Sequence, residues 1–166
     1  MMIVWRFIKQ LHVSDRFFYG IAGLALLFVL GYFIPAAGVA GESLLLAFGV
    51  MVITDILLLY SKKQPFSGNR NTPRRLSNGD ENTIHLHLQS HYPFTIQSEI
   101  IDEVPHQFQL RDFSIRTSFM AGSERSMSYS LRPVMRGAYE FGNINILVRS
   151  RLGIIQRKLR IDAAET

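Results

Sequence analysis

The chain of 166 residues has no cysteine, which excludes disulfide frameworks, thiolate metal centres and cysteine nucleophiles together. Charge is missing from a long stretch as well: no Lys, Arg, Asp or Glu occurs between Phe17 and Gly41. A helix without a polar face has nothing to turn towards water, so that stretch is not the surface helix of a soluble domain. No phosphate-cradling glycine loop is present, and the serines sit in turn-like contexts rather than beside a partner base. No catalytic constellation results, and neither a cofactor nor enzymatic activity is expected.

What is there is unevenly distributed. Hydrophobic residues make up 48% and charged ones 19%, with 18 Lys+Arg against 13 Asp+Glu. The apolar residues crowd into the first third. Phe17–Ile34 and Ser43–Tyr60 are each about 18 residues long, enough to cross most of a hydrocarbon core as helices. The pattern predicts a transmembrane hairpin over 17–60, with helices at about 17–34 and 43–60. The short Gly- and Ala-rich stretch from Pro35 to Glu42 is expected to form the turn.

Basic residues give the orientation. Arg6, Lys9 and Arg16 precede the first helix, and Lys62, Lys63, Arg70, Arg74 and Arg75 follow the second, whereas the connection has none. Both termini are therefore expected in the cytoplasm, with these side chains at the inner membrane surface. Residues 1–16 read as a cytoplasmic segment, amphipathic through Trp5, Phe7 and Leu11 beside Arg6 and Lys9. A rival reading takes the first helix as a secretory signal, with small residues at Gly38-Val39-Ala40.

Asp55 is the one ionisable group inside a predicted span. It reads either as a polar contact or proton site within the membrane, or as a carboxylate near the inner interface, paired with Arg16 or wetted by water.

Residues 61–75 are polar and basic and read as a linker against anionic lipid. Beyond them the hydrophobic period becomes two, as in Thr83–Gln89, where Ile84, Leu86 and Leu88 alternate with His85 and His87. Further strands are expected at Ile96–Val104, Phe113–Phe119, Met127–Leu131, Asn143–Val148 and Ile154–Ile161. Turn signals between them argue for an antiparallel β-sandwich of immunoglobulin-like type over 76–162, followed by a tail at 163–166. The fold class is thus an α+β membrane protein: hairpin first, cytoplasmic sandwich second.

Three groups in the sandwich invite chemistry. His85 and His87 share a strand face without a third ligand placed by spacing, which favours a solvated polar face over a metal site. Asp102, Glu103 and Asp112 are carboxylates without a nucleophile or oxyanion donor. Arg132, Arg136, Tyr139 and Phe141, with Glu140 between the aromatics, flank a Pro-Gly corner. They suit either a structural corner bonding backbone carbonyls, with Tyr139 and Phe141 alternating across a strand, or an arginine patch for an acidic partner. Charges of both signs are interspersed from Arg111 to Glu140, which argues against nucleic acid.

The order of several short motifs resembles the N-terminal part of the bacterial domain-of-unknown-function family fifty-eight, in its Bacteroidetes-type members. They are Asp15-Arg16-Phe17-Phe18-Tyr19, Arg75-Leu76-Ser77-Asn78-Gly79-Asp80, Tyr92-Pro93-Phe94, Asp102-Glu103-Val104-Pro105, Leu131-Arg132-Pro133, Arg136-Gly137-Ala138-Tyr139-Glu140-Phe141-Gly142 and Arg149-Ser150-Arg151-Leu152-Gly153. Arg151 departs from the pattern, since many members have proline there. The resemblance implies a membrane-anchored protein of the bacterial inner membrane that works with a MoxR-type AAA+ ATPase and von Willebrand A-domain proteins. It further implies that the chain stops before a von Willebrand A-like segment. The expected function is a non-catalytic scaffold or docking module. The alternative is a transport or sensing component that uses the hairpin and Asp55.

Overall fold

The computed structural model describes residues 10–73, 75–110 and 113–163. The expected amphipathic segment with Trp5, Arg6 and Lys9, and the side chains of Arg74 and Asp112, lie outside the described residues. The chain divides into two compact units, one reaching to Ser61 and including Arg149–Arg157, the other Lys62–Val148 with the residues from Lys158 onward.

In the first unit, a short strand β1 (Leu11–Val13) leads into α1 (Asp15–Phe33) and α2 (Pro35–Tyr60). Ser14 caps α1, its hydroxyl accepting from the Arg16 N–H at 3.4 Å, and Asp15 places a negative charge at the positive end of the helix dipole. α1 stops because Pro35 can neither donate to the helix nor tolerate a helical residue before it. Ile34 is accordingly extended (φ −128°, ψ 104°) and serves as the C-cap of α1 and the N-cap of α2 at once. The turn between the helices is thus a single residue. Pro35–Glu42, expected as the turn, is instead the start of α2, since Pro suits a first helical position and Ala36 and Ala37 favour the helix.

So sharp a turn forces the backbones together just after it. The Gly31 and Gly38 backbones meet there: a Cβ on Gly31 would lie 2.7 Å from the Gly38 Cα. Farther along, Gly20 accommodates the Phe48 ring, and Phe17 stacks on Phe48 with centroids 5.7 Å apart. No residue of α1 is buried, and in α2 only Gly41, Asp55 and Leu59 are. Because α2 has 26 residues and α1 has 19, α2 extends about 10 Å past the start of its neighbour. Asp55 and Leu59 lie near that overhanging end.

The second unit contains β2 (Phe66–Asn71), β3 (Asn82–Ser90), β4 (Ile96–Asp102), a 3-10 turn (His106–Phe108), β5 (Ile115–Phe119), β6 (Glu124–Leu131) and β7 (Ile144–Arg149), followed by β8 (Ile155–Ile161). One sheet has the order β2-β3-β6 and the other runs β8-β7-β4-β5. The β2–β3, β3–β6 and β4–β5 ladders are antiparallel. The connection between β7 and β8 is too short for a parallel crossover, so these strands form a hairpin. This is an immunoglobulin-like topology, with one difference from the constant type: the fourth strand, β5, pairs with β4 instead of joining the first sheet. Ile84, Leu86, Leu88, Ile96, Ile100, Ile144, Ile146 and Val148 are fully or almost fully buried. Each such side chain contributes about 1.5–3 kcal/mol relative to exposure.

The expected linker 61–75 is corrected by β2, and with it the sandwich boundary at 76. All six residues of β2 pair with β3, Phe66 opposite Ser90 through Asn71 opposite His85. The strand escapes a hydrophobicity pattern because its inward positions are Phe66, Gly68 and Arg70. A Cβ on Gly68 would meet the His87 carbonyl at 2.4 Å, so a side chain has no room there. Arg70, expected at the membrane surface, is buried against Asp102. Its Nε donates to Asp102 Oδ2 at 3.1 Å, its Nη2 to Asp102 Oδ1 and to the Gly142 carbonyl, and its Nη1 to the Ala163 carbonyl at 2.9 Å. The guanidinium lies 5.0 Å over the Phe141 ring. The Tyr129 hydroxyl also donates to Asp102, and burial together with that bond raises its pKa well above the ordinary phenol value.

Removing one member of a buried ion pair leaves the other uncompensated. Asp102→Ala is therefore expected to lower the unfolding free energy by about 3–5 kcal/mol in denaturant titrations of the purified chain followed by circular dichroism. Asp162→Ala, at the exposed Arg160–Asp162 pair, should change it by less than about 1 kcal/mol.

Candidate functional site

Two polar constellations stand out, one in each unit. The first surrounds Asp55. Within its unit, the loop after Arg149 folds around this carboxylate: Oδ2 accepts the backbone N–H of Ile154 at 2.9 Å and of Ile155 at 2.8 Å, and Oδ1 accepts the Ser150 hydroxyl. Ser150 Oγ in turn accepts the N–H groups of Leu152 at 3.0 Å and Gly153 at 3.4 Å. Gly153 takes φ +65°, which favours glycine, and a Cβ there would sit 2.9 Å from Arg16 Nη1 and displace it. Successive backbone donors of this kind hold an anion without a cation.

The surrounding residues complete the arrangement. Ser14 N–H donates to the Ile154 carbonyl at 3.1 Å, and β1 pairs with the start of β8, Leu11 opposite Arg157 through Val13 opposite Ile155. Arg16 Nη1 donates to the Leu152 carbonyl at 2.9 Å. Arg157 Nη1 donates to the Leu59 carbonyl at 2.7 Å, satisfying an end carbonyl of α2 where the helix dipole favours a cation, and its guanidinium lies 4.5 Å over Tyr60. Asp55 is fully buried. The expected pairing with Arg16 is corrected: Arg16 spends its bond on the Leu152 carbonyl, and the turn supplies the donors to Asp55 instead.

The second constellation is a cleft of about 600 Å³ in the sandwich, between the segments 72–78 and 133–141. Its apolar side is formed by Leu76, Tyr139 and Phe141, packed on Ile84 and Leu131. The walls are tied internally. The Asn82 side chain accepts the Ser77 N–H at 2.8 Å and donates to the Ser77 and Asp80 carbonyls at 3.0 and 2.9 Å. Gly79 N–H donates to the Pro133 carbonyl at 2.8 Å, and Arg132 Nε to the Gly79 carbonyl at 2.5 Å. Tyr139 Oη donates to the Met135 carbonyl at 2.5 Å, Gln107 Nε2 to the Ala138 carbonyl at 3.3 Å, and Phe108 stacks on Tyr139 at 4.9 Å. Arg75 and Arg136 line the cleft, both exposed, and no carboxylate is among its lining residues.

The residues singled out from sequence therefore separate. Arg132 and Tyr139 bond backbone carbonyls, Phe141 is buried, and Arg136 lines the cleft. Tyr139 and Phe141 do not alternate on a strand as expected: Tyr139 is in the loop between β6 and β7, and Phe141 forms an isolated bridge. Lys62 and Lys63 are exposed. His85 and His87 are exposed on β3, with His87 Nδ1 2.8 Å from Ser126 Oγ, and no group of three or more metal-ligating side chains occurs among the described residues. Asp102 is engaged by Arg70 and Tyr129. Glu103 instead accepts the Asn143 N–H at 2.8 Å and the Asn145 side chain at 2.6 Å. Sequence reasoning missed the roles of Ser150 and Arg157, whose partners Asp55 and Leu59 are distant along the chain, and of Gly153 and Thr72, which no local pattern marks.

No family model and no curated protein matches the chain. Among solved structures it is similar to the ASH/PapD-like domain of human CEP192, with a TM-score of 0.43 and 12% identity over 62% of this chain and 87% of that one. It is also similar to the CARDB domain of PF1109 from Pyrococcus furiosus, with a TM-score of 0.37 and 10% identity over 60% of this chain and 94% of that one.

Two predictions follow from the bonded carboxylates. Asp55→Ala strands two backbone donors and the Ser150 hydroxyl, so hydrogen–deuterium exchange at the Ile154 and Ile155 amides should accelerate at least about tenfold, with Asp55→Asn intermediate. For Glu103, the backbone bond from Asn143 is the main cause holding its pKa below the ordinary 4.5, aided by Asn145 and by the charge of Arg160. A lowered folded pKa means that its stabilisation is complete above the unfolded value and is lost as pH falls through the folded one. Urea midpoints measured from about pH 5 down to pH 3 should fall less steeply in Glu103→Gln than in the parent chain.

Proposed function

We propose that the chain is a membrane-anchored, non-catalytic docking module, with α1 and α2 crossing the bilayer as a hairpin and the sandwich in the cytoplasm. The observation that carries this is the bareness of the helices. Tyr19, Tyr32, Phe33, Leu46 and Leu57 are each more than 60% exposed, although both helices are among the most apolar parts of the sequence. A soluble protein would cover such faces, whereas lipid covers them here. The buried polar groups support the same placement, because Ser14, the cap of α1, and Asp55, near the end of α2, both lie at the end of the hairpin away from its turn.

Orientation rests on charge. Arg16, Lys62, Lys63 and Arg75 flank the hairpin, and Ile34, the turn itself, is apolar. The family resemblance supplies the partners of this proposal, a MoxR-type AAA+ ATPase and von Willebrand A-domain proteins. Tethering confines the sandwich to the inner membrane surface and raises its effective concentration for partners held there. The transport or sensing alternative draws no support from Asp55, whose oxygens are occupied by the turn it binds.

Reporter fusions after Ala37 and after Ile161 test the topology: the first is expected outside and the second inside, and an external C-terminus overturns the proposal. A photo-crosslinking residue at position 134, exposed beside the cleft, is then expected to capture an AAA+ ATPase in cells. Loss of the partner function in Asp55→Asn, with the fold retained, would favour the alternative.

A further inference from the structure

The cleft has an asymmetry of charge. The carbonyls of Gly79, Pro133, Met135 and Ala138 in its walls are already accepting from Arg132, Gly79, Tyr139 and Gln107. The charged residues on its lining are Arg75 and Arg136, with Asn78 beside them, and no acidic residue stands among them. Thr72 Oγ1, also on the lining, is buried with no hydrogen-bond partner, a costly state unless a ligand or solvent completes it. A second buried atom in the same condition, Gln107 Oε1, belongs to the side chain that holds the Ala138 carbonyl. Acidic residues do occur nearby, at Asp80, Glu81 and Glu140, but none of them lines the recess.

An anion answers this charge, and the aromatic surface of Tyr139 and Phe141 asks for an apolar group beside it. The volume falls within the usual range for ligand pockets. Rigid walls also lower the ordering cost of binding. We infer that the cleft receives a short acidic segment of a partner protein, with a carboxylate held by Arg75 and Arg136 and a neighbouring aromatic or large aliphatic side chain seated against Tyr139 and Phe141. A lipid headgroup layer would meet only the arginines at the rim and leave the aromatic recess empty. The inference deepens the docking proposal and rests on it.

The test is selection of a random decapeptide library, displayed on phage, against the full chain in neutral phosphatidylcholine nanodiscs. Enriched peptides are expected to carry Asp or Glu beside an aromatic or large aliphatic residue. They should bind the double variant Arg75→Glu/Arg136→Glu at least about tenfold more weakly, since two exposed attractions become repulsions. Thr72→Val should weaken them several-fold, and Lys158→Glu, at an exposed position outside the cleft, should not. Both arginines are exposed, so the double variant should keep the parent circular dichroism spectrum. Enrichment of non-acidic peptides, equal binding to the double variant, or no enrichment overturns the inference. Capture of phosphatidylglycerol vesicles that is lost in the double variant, without peptide binding, overturns it in favour of lipid. Acidic peptides selected by a chain that crosslinks no ATPase would reject the partner and keep the cleft; the reverse result would reject the cleft alone.

Discussion

A carboxylate removed from water must be given donors, and Asp55 illustrates how much local structure that single requirement organises. On α2 the adjacent Thr54 spends its hydroxyl on the Val50 carbonyl, and its other near neighbours are apolar. The donors come from the turn at 150–155, where two backbone N–H groups and a serine hydroxyl converge. To supply them the turn needs Gly153 in the left-handed region and Ser150 bonded back to Leu152 and Gly153. Arg16, Ser14 and Arg157 then find carbonyls in the same small volume, on the turn and on α2. Leaving Asp55 unsatisfied would cost several kcal/mol, more than any one of the surrounding contacts contributes.

The sandwich meets a comparable requirement differently. Arg70 enters the interior on a strand whose other inward positions are Phe66 and Gly68, and it is compensated by Asp102, by two carbonyls and by the Phe141 ring. A pair so enclosed contributes little net stability compared with an apolar equivalent, but every departure from its geometry is penalised. It therefore pins β2, the end of β4 and the residues around Gly142 to one arrangement. Phe141, held by this pair and by Ile84 and Leu131, also lines the cleft, so the apolar surface offered to a ligand is continuous with the core.

The cleft itself depends on loops that are ordered by their own bonds. Asn82 knits 77–80 together, and Tyr139 closes the 135–139 segment on itself. Such loops hold their arginines over a fixed recess without a ligand to shape it.

Much of the architecture was legible in the amino-acid order. Uninterrupted apolar runs allow only helices in lipid or in a core, and period-two alternation in Thr83–Gln89 allows only a half-buried strand, so both element types and the change between them are local properties. Hidden from that view were β2, whose buried residues are only Phe66 and Arg70, and the length of α2, because Ala- and Gly-rich Pro35–Gly41 looks like a turn until the Gly31–Gly38 approach shows why small residues stand there. The role of Asp55 was hidden for a different reason. Its partners lie 95 to 100 positions away, and a backbone N–H carries no signature in the sequence. Composition and periodicity decided where apolar surface must go; only the tertiary structure decided which polar groups would meet, because that depends on distances that local patterns do not contain.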